Sequence, residues 1–378
     1  MNFALSDEQR MLQKSASDFV RRESSLKRIR ELRNDATGFS KALYGKMAEL
    51  GWLAIPFPES AGGLGQGLVE MAVVMEELGK GLMPEPVLSS VLLGGQAIAL
   101  GGNAGQQGKW LARISEGQAL VTLAYQERQS RYDAFDVATQ ASRDGAGWLL
   151  SGEKTYVPDA GAADGLVVTA RTQGARRDRE GVAMFIVDPK AQGVTLTAVP
   201  TSDWRKRFHV KLEKVRVDDA ARLSGTTPPD IALESALDRA TIGLAADMLG
   251  SMSEAFRMTV DYLKTRQQFG VPIGSFQALQ HRAVDQYVQT ELSRSAVYYA
   301  AMCVDEKMSD AQAAVSTAKA RCNDAFHLIA NESIQMHGGI GMTDEHDIGF
   351  FFKRARTAEV TLGDSNFHRD RYARLREY

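Results

Sequence analysis

Cysteine is scarce in this chain: among 378 residues there are two, Cys303 and Cys322. Two thiols cannot build a disulfide framework, which excludes the small stapled secreted scaffolds and suits a reducing compartment. An excess of one charge is missing as well. Lys+Arg number 45 and Asp+Glu 47, a formal net charge of −2, so nothing marks a nucleic-acid partner. No apolar run reaches the roughly 18 residues that a membrane span needs. The N-terminus opens without a basic stretch ahead of an apolar one, so no signal peptide is visible. Six histidines show no metal-ligand spacing, and internal repeats and low-complexity tracts are absent. What remains is a soluble, cytoplasmic chain with no metal and no nucleic-acid or membrane partner, long enough for two or three domains.

What the chain does contain is a corner, Tyr262-Leu-Lys-Thr-Arg-Gln-Gln-Phe-Gly-Val-Pro-Ile-Gly-Ser-Phe-Gln-Ala-Leu-Gln280. Ahead of it, Leu233, Leu237, Leu244, Met248, Met252, Phe256 and Leu263 recur at helical spacing. Gly270 and Pro272 stop that helix, and Ser275 is placed to cap the next. Arg266, Phe269, Ile273, Phe276, Gln277 and Gln280 crowd the break. A fixed cation, flat rings and amides suit a phosphate and an aromatic heterocycle; a solvated turn is the plainer reading.

Taken in order, residues 1–118 read as an all-α domain. Ser6 and Gln9 form a capping-box pattern, and helical runs follow at Phe39–Leu50, Leu68–Lys80 and Val87–Ala99. The Pro- and Gly-rich stretch 51–67 between them is a shaped loop. Residues 119–224 change texture. Ala119–Tyr125, Asp136–Ser142, Trp148–Ser151, Gly165–Thr172, Val182–Val187, Val194–Val199 and His209–Val217 are short and rich in Val, Thr and aromatics, with Asp144-Gly-Ala-Gly147 as a hairpin loop. Successive strands without intervening helices predict an antiparallel β domain. Residues 225–378 begin with a linker whose paired prolines hold off helix until Ile231. They then predict a four-helix bundle, which completes a multidomain α+β chain.

A second block, Gln335-Met-His-Gly-Gly-Ile-Gly-Met-Thr343, closes a helix and so does not read as a Rossmann fingerprint, which must open one. By itself it is a glycine C-cap, with His337 and His346 beside it. Together, Arg-x-x-Phe-Gly with Phe-Gln and this Gly-rich block resemble the acyl-CoA dehydrogenases, and family-like features run along nearly the whole chain. The resemblance implies FAD as cofactor and a nucleotide gripped across a dimer interface. Arg266 would meet its pyrophosphate and Phe269 its adenine end, with Ile273, Phe276 and Gln277 in the same groove. Gln335 would hydrogen-bond the nucleotide, and Gly338 and Gly339 would let backbone approach it. In the β domain, Gly152-Glu-Lys-Thr-Tyr-Val157 is similar to the family's flavin strand. Tyr156 stands where Trp is usual, Pro158 where Thr or Ser is common, and Glu127 sits at the acidic position of a flavin loop.

The same resemblance calls for a carboxylate base. Its two usual positions fall on Gly363 and Ala240. The remaining candidates are Asp247, which shares a trench of small residues with Ala240, Gly243 and Gly250, and Asp364, one residue beyond the usual place. A chain with no base of its own is the third possibility. The leading expectation is α,β-dehydrogenation of an acyl-CoA thioester in fatty-acid metabolism, with electrons passed to electron-transfer flavoprotein from a homo-dimer or tetramer. The alternatives are a flavin-completing subunit of a hetero-oligomer, as in the pimeloyl-CoA dehydrogenase small-subunit-like group, and flavin-dependent oxygenation. The basic clusters Arg176-Arg-Asp-Arg179 and Arg205-Lys-Arg207 read as solvated loops.

Overall fold

A computed structural model describes residues 5–378, which fold as two compact units. The first comprises the segment ending at Glu31, Leu68–Met83 and Thr241–Tyr378; the second comprises Leu32–Gly67 and Pro84–Ala240. Among the described residues no helix is long and apolar enough to cross a membrane.

In the first unit, α1 (Asp7–Glu23) starts at the capping box that Ser6 and Gln9 encode. A second short helix, α2 (Leu26–Leu32), follows it, and α3 (Lys41–Glu49) belongs to the other unit. Helix α4 (Leu68–Lys80) returns to pack on α1. Later come α7 (Pro229–Thr265), whose residues as far as Ala240 count with the second unit, α8 (Gln277–Asp305), α9 (Ala311–His337), α10 (Ile348–Val360) and α11 (Ser365–Leu375). Five helices therefore stand where four were expected, because a turn at Thr361–Asp364 divides the tail, and both halves pack on α9. Asp305, at the end of α8, accepts from the backbone of Leu68 (2.8 Å) and Val69 (3.1 Å) and so caps α4. The two prolines before Ile231 do not delay α7. The helix begins at Pro229, since proline fits a first turn whose N–H groups have no helical partner.

The second unit holds α3, a π-type helix (Val87–Gly95), α5 (Gln96–Gly101), α6 (Ala104–Ser115) and the sheet. The strands are β1 (Val121–Ala124), β2 (Gln140–Asp144), β3 (Gly147–Pro158), β4 (Gly165–Arg171), β5 (Val182–Val187), β6 (Val194–Val199) and β7 (Arg207–Asp218). Their order is β1-β4-β2-β3-β7-β6, with β5 also on β4. The sheet is mainly antiparallel, as expected, with two parallel contacts the sequence did not show: β1 runs parallel to β4, as does β2 where it touches β4. Parallel neighbours need a long return path, and the excursion through the β2–β3 hairpin supplies it between β1 and β4. The hairpin itself forms as read, Asp144 pairing with Gly147.

Arg171, 2 % exposed, organises the loop beside β4. It donates to the carbonyls of Phe135 (2.9 Å), Val137 (3.2 Å), Gln173 (3.3 Å), Arg176 (2.7 Å), Asp178 (3.0 Å) and Glu180 (3.1 Å). Nor is the 176–179 cluster merely solvated. Arg176 (2.7 Å) and Arg177 (3.0 Å) pair with the buried Asp136, while Arg179 reaches Asp230 (3.3 Å) and Glu234 (2.7 Å) on α7. Arg171→Met should therefore cost about 3 kcal/mol by leaving buried carbonyls without donors, and loosen this loop first. Protease nicking at 173–181 in the variant, and not in the parent, checks it.

Candidate functional site

The corner is tighter than a helix break. After α7, Gln267–Gln268 pairs with Val271–Pro272 as a miniature hairpin. Phe269 (φ 54°) and Gly270 (φ 82°) both lie in the left-handed region, as a two-residue primed turn requires. A bulky aromatic there is strained, and strain of this kind concentrates at functional sites. The strain presents the Phe269 ring to solvent, 91 % exposed, edge-on to Phe276 at 6.2 Å. The Arg266 side chain is exposed and makes no hydrogen bond or ion pair among the described residues. Ile273 begins a single 3-10 turn with Gly274 and Ser275. Ser275 does not cap α8; its hydroxyl donates to the Pro272 carbonyl (2.8 Å), and Phe276 takes the cap position. Gln277, the first residue of α8, and Gln335, near the end of α9, are exposed.

Gly338 ends α9 at φ 64°, and a Cβ on Gly338 or Gly339 would meet nothing within 4 Å. This edge is thus open to a ligand. Arg266, the Phe269 ring and the bare backbone at Gly338 and Gly339 make a donor set that fits a dinucleotide: a cation for phosphate, an aromatic face for a base and room for close approach.

On the strand side, β3 carries a bulge between Lys154 and Val157. Tyr156 sits in it at φ 54°, 53 % exposed, with its ring edge-on to His209 at 5.6 Å. Bulges re-aim side chains, and this one turns an aromatic outward where the resemblance asks for one. Pro158 brings neither a hydroxyl nor an N–H to that surface. Glu127, expected to touch the cofactor, is instead buried and committed. It accepts from Lys154 (2.6 Å), Gln129 (2.8 Å) and the backbone of Ala138 (2.8 Å) and Thr139 (3.1 Å). Four donors occupy its two oxygens, so it holds the loop and not a ligand. Burial would raise its pKa, but Lys154 outweighs that and leaves it below the ordinary value; burial in turn pulls Lys154 down to about 8. Lys154 was present in the quoted motif, yet only the fold reveals its partner.

Both candidate bases are engaged in structural contacts. Asp247 is 2 % exposed and accepts from Arg354 Nε (3.1 Å) and Nη2 (2.5 Å). Its trench is filled by α4: a Cβ on Gly250 would lie 1.8 Å from the Glu76 carbonyl, and one on Gly79 2.1 Å from the Asp247 carbonyl. Small residues there admit a helix, not a flat ligand. Asp364 caps α11, accepting from the Phe367 N–H at 2.9 Å.

Around Gly363 the structure is closed. Gly363 has φ 111°, and a Cβ would fall 2.5 Å from the Phe367 ring and 2.6 Å from His368 Nε2. The fully buried Lys319 donates to Asn323 Oδ1 (2.6 Å) and to the carbonyls of Ala358 (3.1 Å), Glu359 (3.3 Å) and Gly363 (3.0 Å), tying the end of α10 to α9. Its signal in the sequence was a lysine in phase with the apolar stripe of α9. His368 Nε2 donates to the Leu362 carbonyl at 2.9 Å. Burial first, then the Lys319 charge, push His368 down to about 3. An unfolded imidazole titrates near 6.5, so the unfolded chain binds the extra proton between these values. Stability should be full above about pH 6.5 and fall by up to about 1.4 kcal/mol per unit on acidification toward pH 3. Urea unfolding between about pH 7 and 4 checks this, with His368→Gln giving the shallower dependence.

Three domain models cover the chain: acyl-CoA dehydrogenase N-terminal domain over residues 6–118, middle domain over 122–209 and C-terminal domain over 230–375. The chain belongs to the acyl-CoA dehydrogenase family. Its cofactor is FAD and it is an oxidoreductase. Acyl-CoA dehydrogenase FadE27 of Mycobacterium tuberculosis is 32 % identical over 341 residues, 88 % of this chain and 87 % of its own length. The probable acyl-CoA dehydrogenase YngJ of Bacillus subtilis is 31 % identical over 98 % of both chains. Among solved structures, the ChsE4–ChsE5 complex of Mycobacterium tuberculosis superposes with a TM-score of 0.90 at 30 % identity, covering 100 % of this chain and 99 % of that one. The chain thus has its family's three domains in its family's order.

Proposed function

We propose that this chain is the acid-lacking subunit of a two-chain acyl-CoA dehydrogenase that converts an acyl-CoA thioester to its 2-enoyl-CoA. Arg266 would pair with the FAD pyrophosphate and Phe269 would pack on the adenine, with Ile273, Phe276 and Gln277 lining the groove. Gln335 would hydrogen-bond the nucleotide where Gly338 and Gly339 leave room. Bound FAD supplies the acceptor for the β-hydrogen as hydride, and electron-transfer flavoprotein would take the electrons onward. The α-proton must leave to a carboxylate near neutrality, and a sister chain supplies that group.

One observation carries this reading. Gly363 is packed so that no side chain fits, Ala240 is a fully buried methyl, and Asp247 and Asp364 are engaged elsewhere. The likeness to the ChsE4–ChsE5 complex supports a two-chain assembly. Dye reduction with a panel of acyl-CoAs tests it. The chain alone should be inactive, and mixing with a family member that carries Glu at either base position should give turnover that requires both. Full activity from a homomer would contradict the proposal.

A further inference from the structure

The Arg266 hairpin and the Gly338–Met342 turn come from helices far apart in sequence, and three rings join them. Tyr262 lies on the last turns of α7, four residues before Arg266. His337 ends α9, directly before Gly338, and His346 precedes α10. Tyr262 and His337 stack at 4.5 Å with 28° between their planes. His346 lies 4.6 Å from His337 and edge-on to Tyr262 at 6.4 Å. The turn folds closely over this group: a Cβ on Gly341 would sit 3.0 Å from His337 Cβ and 2.8 Å from the Ile334 carbonyl.

The tautomers follow from the partners. His337 Nδ1 is 2.7 Å from the Ser333 carbonyl, which can only accept, so Nδ1 carries the proton. Its Nε2 is buried with no hydrogen-bond partner, on a residue 3 % exposed. His346 Nδ1 accepts from the Ile348 N–H at 3.2 Å. The one site at which His337 can take a further proton, Nε2, is thus buried and without a partner. We infer that Tyr262, His337 and His346 form a pin that sets the Arg266 hairpin against the Gly338–Met342 turn, and that they are positioning residues for the nucleotide half of FAD whose grip opens in acid. This rests on the reading that those two segments hold the nucleotide.

Acid sensitivity comes from the geometry. Charging His337 places a cation in a buried position 4.6 Å from the His346 ring. Burial lowers the His337 pKa, the Ser333 carbonyl opposes it and His346 adds to the lowering. Ionisable neighbours on the elements that meet the stack are Lys264 and Arg266 at the end of α7, Glu332 on α9, and Asp344, Glu345 and Asp347 beside His346. Asp344 is paired with Lys353 of α10 at 3.5 Å, Asp347 with Arg30 of α2, and Glu332 with Arg282 of α8. No carboxylate acts on His337 itself to favour its charged form.

The test is FAD affinity, read from flavin fluorescence on the assembled protein between about pH 8 and 5. In the parent protein the dissociation constant should rise about tenfold from about pH 7 to about pH 5. His337→Phe keeps a ring and removes the titration, so its affinity should stay near the neutral-pH value throughout. His337→Ala should bind about tenfold more weakly at every pH. His337→Gln, which also removes the titration, serves as a second arm with the same expected flat profile should the Phe variant fail to fold by circular dichroism. Arg266→Ala separates the two claims. If it keeps FAD, the reading of the corner is wrong. If it loses FAD while the parent and His337→Phe share one flat profile, the pin is overturned and the corner stands.

Discussion

Asp247→Asn should unfold at markedly lower urea, losing about 3–5 kcal/mol, the usual cost of breaking one side of a buried ion pair. The variant keeps the shape of the side chain and removes its charge. Arg354, 2 % exposed, would then lie buried with its counter-charge gone. Water cannot replace it, because α4 lies against the same stretch of α7 through Gly79 and Gly250. A second variant separates structure from chemistry. Asp247→Leu with Arg354→Met removes both charges and should recover most of the loss, since a buried pair is seldom better than apolar packing of similar volume. A substrate-facing base would behave oppositely: turnover would vanish, stability would hold or improve, and the double variant would rescue nothing. Chemical unfolding of the two variants by circular dichroism decides between them.

Gly363→Glu should not create a base, and should itself destabilise by about 3 kcal/mol or more from strain and overpacking together. The backbone at φ 111° is one that side-chain-bearing residues rarely adopt. Phe367 and His368 occupy the space of the new Cβ at 2.5 and 2.6 Å. His368 is itself held by the Leu362 carbonyl, and Lys319 and Asn323 both bond the Gly363 carbonyl (3.0 and 3.3 Å), so the segment cannot slide aside without losing several buried hydrogen bonds. Retained stability in this variant, with dehydrogenase activity gained by the chain alone, would show that only a side chain was missing.

Legibility in the sequence followed local chemistry. The Ser6–Gln9 box, α4, β5, β6 and the Asp144–Gly147 hairpin were readable because a cap, a period or a turn fixes each one. Helix α6 was missed although Asn103 and Gln106 carry the same capping box, because its apolar face is short. The parallel pairing of β1 with β4 was hidden, since strand direction depends on where the chain re-enters the sheet and not on composition. At the site, Arg266, Phe269 and Gly338 could be proposed from their motifs, and their exposure leaves them available. The roles of Glu127 and Asp247 could not, because a carboxylate looks the same in sequence whether Lys154 and Arg354 meet it or a ligand does. Partners 27 and 107 residues away belong to tertiary structure.

The most direct test of the central claim is anaerobic mixing of the FAD-loaded chain alone with acyl-CoA thioesters of graded length. With no carboxylate to take the α-proton, the flavin's visible absorbance should remain at every length and fall only once a base-bearing sister chain is added. Prompt bleaching by the lone chain would contradict the account.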